Sequence, residues 1–289
     1  MNRTLKYVNK EKVNLANNIY HKFAANHALS VYNVNAIYTY IPKNACSTLR
    51  FSIALKNGFL KNKGDVEWIH ENNTTFIASQ RELVTCEYSF VILRCPYRRI
   101  ASAFFDKISE GNLLAKPLFK RNLFTKIMDK LCSLNKYSNR YRNKFWSKKI
   151  KKLTFEDFIK RIVAIQPHKL DNHLRPQIDF LVYDEYDDYF CLERIGLLQN
   201  TLKEKINLEI HDTRKLIKHD ASHLEKININ ANKLTAGEIS NLKNRGKIPK
   251  YESVYSDATK KLVYEYYKDD IKLYISKFGP ETLLFNNFR

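Results

Sequence analysis

Short β-branched and apolar runs that alternate with helical periodicities predict an α/β protein: a central parallel β-sheet flanked by helices. Two runs carry most of this. Residues 35–41 (N-A-I-Y-T-Y-I) are β-branched and aromatic, the composition of a short buried strand. Residues 88–93 (Y-S-F-V-I-L) are almost continuously apolar, as the middle strand of a parallel sheet must be when both faces are covered. Each run then passes through a short turn into a segment of helical pattern, so consecutive strands are joined by crossovers.

The first run is followed by the turn Pro42-Lys43-Asn44 and a helix over 47–56, with Leu49, Phe51 and Ile53 inward and Gly58 as its stop. Residues 66–69 read as a second strand. The apolar strand runs into Arg94-Cys95-Pro96 and a helix over 97–110. Thr154 opens another helix with a T-x-x-D capping box, and Phe155, Phe158, Ile159, Ile162 and Val163 form its apolar stripe. A late strand over 189–192 precedes a helix near 195–205, and a last helix over 257–277 is stopped by Gly279-Pro280. Ligands of such sheets gather at the carboxyl ends of the strands. Both the 42–48 loop and Arg94 fall at that edge.

The 289 residues read as one domain, 1–289, with a basic, helical insertion at about 116–152. Apolar residues make up 44%, enough for a sizeable core, and 7 Gly with 7 Pro leave no linker or low-complexity tract. No apolar run approaches the roughly 18 residues of a membrane span. Residues 1–35 lack the apolar core of a signal peptide, so the expected location is cytoplasmic. Cys46, Cys86, Cys95, Cys132 and Cys191 are odd in number and include no C-x-x-C pair. That argues against a disulfide framework and a structural zinc site, and for a reducing setting.

A formal charge of +20 concentrates anions near the protein, whether nucleic acid, acidic membrane, nucleotide or acidic polysaccharide. It is unevenly spread. Between Lys116 and Lys152 stand 13 Lys or Arg against a single acid, Asp129. Two readings stand side by side: a solvated lysine-rich helical surface, or a polyanion-docking surface helped by Phe119, Phe124, Tyr137, Tyr141, Phe145 and Trp146.

Two segments carry chemistry. Residues 42–48 lack the glycines of a G-x-x-x-x-G-K-[ST] phosphate loop. They keep Lys43 on the turn, Asn44, the small residues Ala45 and Cys46, and the hydroxyls Ser47 and Thr48 at a helix start. Backbone N–H groups and hydroxyls there can cradle one phosphate while Lys43 reaches a neighbouring anion. Read alone, the same residues also fit a plain strand-to-helix turn with an exposed lysine and a serine cap. In residues 94–104, Arg94 at a strand end and Ser102 on the helix can grip a second phosphate, with Arg99 joining them or facing solvent. Read alone, that segment also fits a helix with a basic surface.

Together the segments resemble the donor motifs of sulfotransferases that use 3′-phosphoadenosine 5′-phosphosulfate (PAPS), in particular the carbohydrate branch with its chondroitin- and heparan-type members. That branch carries a P-K-x-[AG]-[CS]-[ST] loop, met here from Pro42 to Ser47. It also carries R-[DE]-P-x-x-R-[LI]-x-S-A-[FY], met at Arg94, Pro96, Arg99, Ile100, Ser102, Ala103 and Phe104. Cys95 stands where the branch has an acid; the implied donor contacts, Arg94 and Ser102, are unaffected. Similarity is thinner at His173-Leu174-Arg175-Pro176-Gln177, at residues 189–195 with Glu193, at Ser222-His223-Leu224 (a third donor-side loop in some members), and at the terminal helix. It spans roughly 35–279.

The resemblance implies a P-loop-NTPase-like sulfotransferase fold and transfer of a sulfuryl group from PAPS to a carbohydrate hydroxyl, on a polysaccharide or glycolipid. Lys43, Asn44, Ala45, Cys46, Ser47 and Thr48 would hold the 5′-phosphosulfate, Arg94 and Ser102 the 3′-phosphate, and no metal is called for. In-line transfer through a loose transition state asks mainly for positioning and charge neutralisation, which suits Lys43 to the leaving oxygen. The acceptor hydroxyl needs a base, and an imidazole titrates in the right range. Related heparan-type enzymes place a histidine between the two motifs, and here that is His70; His173 is the second candidate, each also readable as structural. Glu67 and Glu71 stay open, while His21, His27, His168, His211 and His219 look ordinary.

Two rivals belong to other classes. A nucleotide-dependent kinase of related fold is disfavoured by the missing glycines and by the lack of a magnesium-binding acid after a strand. A basic nucleic-acid-binding protein leaves the paired loops unexplained and shows no helix-turn-helix or RNP pattern. The expected partner is thus an acidic polysaccharide rather than nucleic acid, with peripheral contact to an acidic membrane left open. Acceptor, sulfated position and oligomeric state are not written in the sequence.

Overall fold

In chain order the strands are β1 (Ala28–Val31), β2 (Ala36–Thr39), β3 (Tyr88–Leu93), β4 (Asp188–Cys191), β5 (Glu225–Ile227) and β6 (Lys247–Pro249). The helices are α1 (Ile19–Ala25), α2 (Cys46–Lys56), α3 (Trp68–Glu71), α4 (Gln80–Thr85), α5 (Pro96–Ala103), α6 (Lys136–Ile150), α7 (Phe155–Val163), α8 (Ile195–Ile206), α9 (Ala236–Asn244), α10 (Asp257–Tyr266) and α11 (Lys268–Phe278). The structure, a computed structural model, describes residues 3–8, 14–61, 66–72, 74–119, 136–213 and 223–286. Contacts gather these into two compact units. One comprises residues 1–95, 176–220 and 269–283; the other comprises 96–175, 221–268 and 284–289.

The first unit holds a four-stranded sheet in the order β1-β2-β3-β4. β2, β3 and β4 run parallel, with Ala36 opposite Tyr88 and Phe90 opposite Asp188. β1 is added antiparallel at one edge, with Ala28 opposite Thr39. The mostly parallel α/β sheet expected from the sequence is therefore present, with one antiparallel edge strand that the sequence reading missed. At β1 the run is only A-L-S-V, and the buried Ser30 breaks its apolar signal by donating its hydroxyl to Glu82 Oε1 at 2.7 Å. The core joins Tyr38, Phe90 and Ile92 of the sheet to Leu49, Phe51 and Ile53 of α2 and to Leu198, Leu202 and Ile206 of α8.

The strand expected over 66–69 is not formed. Val66 and Ile69 are buried while Glu67 and His70 are exposed, which is the i,i+3 spacing of a helical turn, and α3 forms there. The long last helix is also interrupted: α10 ends at Tyr266, Tyr267 leaves helical geometry with φ −105° and ψ 24°, and α11 begins at Lys268.

In the second unit α5 starts at Pro96, a position where the missing N–H costs nothing. After Ala103 the helix widens into a π turn over Phe104–Ile108, a rare geometry frequent at functional sites. α7 begins at the expected capping box, Thr154 with Asp157. Its stripe packs as aromatic pairs, Phe104 to Phe155 at 5.2 Å and Phe155 to Tyr255 at 4.7 Å. β5 and β6 form a small parallel pair. Of the basic segment, α6 is helical as expected, and residues 120–135 lie outside the described residues.

Candidate functional site

In the first unit the chain leaves β2, turns at residues 42–45 and enters α2 at Cys46. Within that turn Lys43 has φ +73° and Ala45 has φ +56°. Both are left-handed positions, costing a non-glycine residue about 1–3 kcal/mol each unless the surroundings enforce them. A glycine loop would adopt this shape without strain; here the shape is imposed.

The constraint comes from beneath. Asn44 is fully buried, and its Nδ2 donates to the Ile92 carbonyl at 2.8 Å and to Gln177 Oε1 at 2.6 Å. The same Gln177 oxygen accepts the Arg94 N–H at 3.0 Å, and Gln177 Nε2 donates to the Arg94 carbonyl at 2.9 Å. Arg94 Nη1 donates to the Lys43 carbonyl at 2.9 Å, closing the ring. Gln177 is held by the buried Asp270, whose carboxylate accepts the N–H groups of Gln177 and Ile178 at 2.7 and 2.9 Å. One side-chain amide thus locks the two sequence motifs together. Gln177 and Asp270 were missed as site residues. The P-Q pair was visible in the sequence, but its role depends on a buried acid 93 positions further on.

Ala45 caps α2 with no side-chain acceptor, so the serine-capped turn is not what forms. The first amides of the helix, at Cys46, Ser47 and Thr48, have no acceptor within it and present its positive end. Cys46 and Ser47 are half-buried. Thr48 is buried and its hydroxyl lies 3.0 Å from that of Thr213. Asn44 shapes the loop from inside rather than offering its side chain outward. Burial pushes the Tyr38 phenol up, the nearby Cys46 and Tyr40 adding and Arg50 opposing. Arg50 Nη2 donates to the Ile69 carbonyl and so ties α2 to α3, where His70 is exposed together with Glu67 and Glu71. Cys95 donates its N–H to the Glu193 carboxylate at 3.2 Å.

A cavity of ≈ 560 Å³ in this unit is lined by Arg3, Glu87, Asp184 and Asp187 among others. These flank the amino ends of β3 and β4, the edge of the sheet opposite the loop, so the cavity is not the anion site.

In the second unit Ser102 is buried on α5 at 9% exposure. Arg99 does neither of the things expected of it. It is 1% exposed and donates from Nη1 to the Arg175 carbonyl at 2.8 Å and from Nη2 to the Asn172 carbonyl at 3.1 Å. It therefore braces the loop that carries His173. There Asp171 Oδ1 lies 2.7 Å from His173 Nδ1 and accepts the His173 N–H at 2.9 Å. Burial acts to raise the Asp171 pKa. The hydrogen bonds from His173, then the charges of His173 and Lys107, outweigh it and hold the group below the usual carboxylate range. Lys107 stands 3.1 Å from Asp106 on the π turn. Asp171, Asp106 and Lys107 were not singled out in the sequence; D-x-H, the spacing of an Asx turn closing on an imidazole, was the available signal for the first.

The aromatics of the basic segment are largely spoken for. Trp146 is 1% exposed and packs on Phe119 at 5.6 Å. Lys149 lies over the Phe145 and Trp146 rings at 5.4 and 5.5 Å, and Arg161 over Phe119 at 4.5 Å. Tyr141 is 74% exposed. Phe124, the Tyr137 side chain, Cys132, His219 and Ser222 lie outside the described residues; His223 is exposed. Among the described residues no group of three or more His, Cys, Asp or Glu side chains is placed to hold a metal, and no helix is long and apolar enough to cross a membrane.

The α/β unit thus carries a strained, lysine-bearing loop that opens a helix at the carboxyl edge of a parallel sheet and is locked to the arginine just after the next strand. The family model described as the Sulfotransferase family matches residues 30–275, and the chain belongs to that family of transferases. Comparison with curated proteins and with solved structures gives no match.

Proposed function

We propose that the protein transfers a sulfuryl group from PAPS to a hydroxyl of a carbohydrate, an acidic polysaccharide or a glycolipid. The observation that carries this reading is the left-handed pair Lys43 and Ala45, locked through Asn44 and Gln177 to Arg94. Backbone strain of this kind persists where a ligand site needs the shape. Lys43, the amides of Ala45 and Cys46, and Ser47 with Thr48 take the 5′-phosphosulfate. Arg94 is the proposed ligand of the 3′-phosphate, with Ser102 the second candidate. Lys43 neutralises the charge that grows on the bridging oxygen as the S–O bond breaks. His173 and His70 are the two candidate bases, and no metal takes part. No disulfide joins Cys46, Cys86, Cys95 and Cys191, which supports a reducing, cytoplasmic setting. The exposed cations of α6 support an anionic acceptor.

Thermal unfolding with 3′-phosphoadenosine 5′-phosphate (PAP), ATP and a duplex oligonucleotide tests the reading against both rivals. PAP at a hundredfold excess over its Kd is expected to stabilise the protein by about 2.7 kcal/mol. Equal stabilisation by ATP points to the kinase, stabilisation by the duplex alone to nucleic-acid binding, and no response to PAP sinks the proposal.

A further inference from the structure

We infer that Gln177 is the positioning residue that makes the donor site selective for a nucleotide anionic at both ends; this rests on the PAPS reading above. Its side-chain amide holds both anion-binding segments at once. Oε1 accepts from Asn44 Nδ2 inside the loop at 2.6 Å and from the Arg94 N–H at 3.0 Å, and Nε2 donates to the Arg94 carbonyl at 2.9 Å. An amide that pairs with both the N–H and the C=O of one residue acts as a neighbouring strand does. β2 pairs with β3 as far as Thr39 opposite Val91, and beyond that point the Gln177 amide serves Arg94 as a substitute partner.

The amide can sit only one way round. Turned over, its oxygen would face the Arg94 carbonyl, and its nitrogen would face the Arg94 N–H and Asn44 Nδ2. The backbone under it is fixed as well. Pro176 has no N–H to satisfy, and Asp270, 2% exposed, accepts the next two N–H groups. Gln177 is 1% exposed and Asn44 0%, so both side chains work from inside the protein. Asn44 Oδ1 is buried too and accepts no hydrogen bond among the described residues. Stability alone gives no reason to leave a buried acceptor in that state.

Arg94 completes the coupling by donating from Nη1 to the Lys43 carbonyl. Two segments that moved independently would each have to be ordered by the ligand. Held beforehand at one spacing, they favour a ligand whose two anionic groups reach both. A ligand with a single phosphate gains from one segment alone. The preference for PAP over adenosine 5′-phosphate (AMP) therefore depends on Gln177.

Calorimetric titration with PAP and AMP reads that preference as the ratio of the two Kd values. The parent is expected to favour PAP by about tenfold or more. Gln177→Met keeps the volume without the amide, and should cut the ratio by about fivefold or more. AMP affinity should fall by less than about threefold, because Asn44 keeps its bond to the Ile92 carbonyl. Combined with Arg94→Ala, Gln177→Met should take away little further preference, since both act on the same contact. Gln177→Glu keeps the test open if Gln177→Met does not fold. Ionised, its carboxylate sets an oxygen against the Arg94 carbonyl; protonated, it regains the donor and the acceptor of the amide. Burial raises such a carboxyl above its ordinary range. Its ratio, taken against the parent at the same pH, should therefore be low near neutrality and recover toward about pH 5.

Equal losses for PAP and AMP, a ratio within about twofold of the parent's in either folded variant near neutral pH, full additivity with Arg94→Ala, or no recovery of Gln177→Glu in acid overturns the assignment. Failure of both variants to fold at any pH does so too, because Gln177 is then purely structural. A parent with no preference for PAP removes the donor reading itself, and this selectivity with it.

Discussion

Residues 42–48 and residues 116–152 both carry an expectation of anion binding, and they are built in opposite ways. The loop has one cation, Lys43, and a backbone forced into left-handed geometry at two positions by a buried amide network. The basic segment has 13 cations, and its described part spends much of its aromatic surface on itself, with Trp146 inside and Lys149 stacked on its neighbours. Backbone amides aimed by strain select one anion at one place. A field of lysines raises the local concentration of any anion and is screened by salt. Composition reports the second property loudly and the first hardly at all.

The largest expected effect breaks the comparison outright if it fails. Lys43→Ala should lower turnover by about 10²–10³-fold, because the lost charge acts mainly on the leaving oxygen. Its effect on PAP affinity should be the smaller one. Arg94→Ala should show the reverse emphasis, with PAP affinity falling by about tenfold or more in a calorimetric titration. Near-normal turnover of Lys43→Ala means that the loop is not the donor site and that charge count was the better guide.

The next effect sharpens the contrast inside the basic segment. Trp146→Ala removes a ring that is 1% exposed and should cost about 3–5 kcal/mol of stability in denaturant unfolding. Lys144→Gln with Lys148→Gln touches exposed side chains and should leave stability within about 0.5 kcal/mol. Acceptor KM for a sulfated or carboxylated polysaccharide should rise about severalfold at low salt, and the difference should fade as salt is raised. A Trp146→Ala variant of normal stability, or a KM change indifferent to salt, places the aromatics rather than the charges in acceptor contact.

What was legible in the sequence follows the same division. β2, β3 and α7 were readable because their signals are local: unbroken apolar runs and a capping box four residues long. β1 was not, because Ser30 is paid out to Glu82 across the fold and no local rule reports that bond. The turn at 66–69 was misread because Val66 and Ile69 are too few to separate period 2 from period 3.6. Lys43, Arg94 and Ser102 were named from motif spacing. The residues that give Lys43 and Arg94 their geometry, Gln177 and Asp270, lie far along the chain and have no side-chain type that announces a site. Arg99 read as either a phosphate ligand or a solvent-facing cation for the same reason: charge is visible in sequence, and burial is not.

The smallest effect asks whether the strain itself matters. Ala45→Gly relieves a left-handed alanine, worth about 1–2 kcal/mol, and gives back roughly half of that through the freer unfolded chain. The alanine methyl also packs on the apolar core, and its loss takes a little more. Stability should therefore change by less than about 1 kcal/mol. Donor affinity should still fall by about two- to fivefold, because a glycine samples loop shapes in which the Cys46 and Ser47 amides no longer converge. If PAP binds Ala45→Gly as tightly as the parent, the loop's shape is held entirely from below by Asn44 and Gln177. The left-handed alanine is then a consequence of that network and contributes nothing of its own to anion selection.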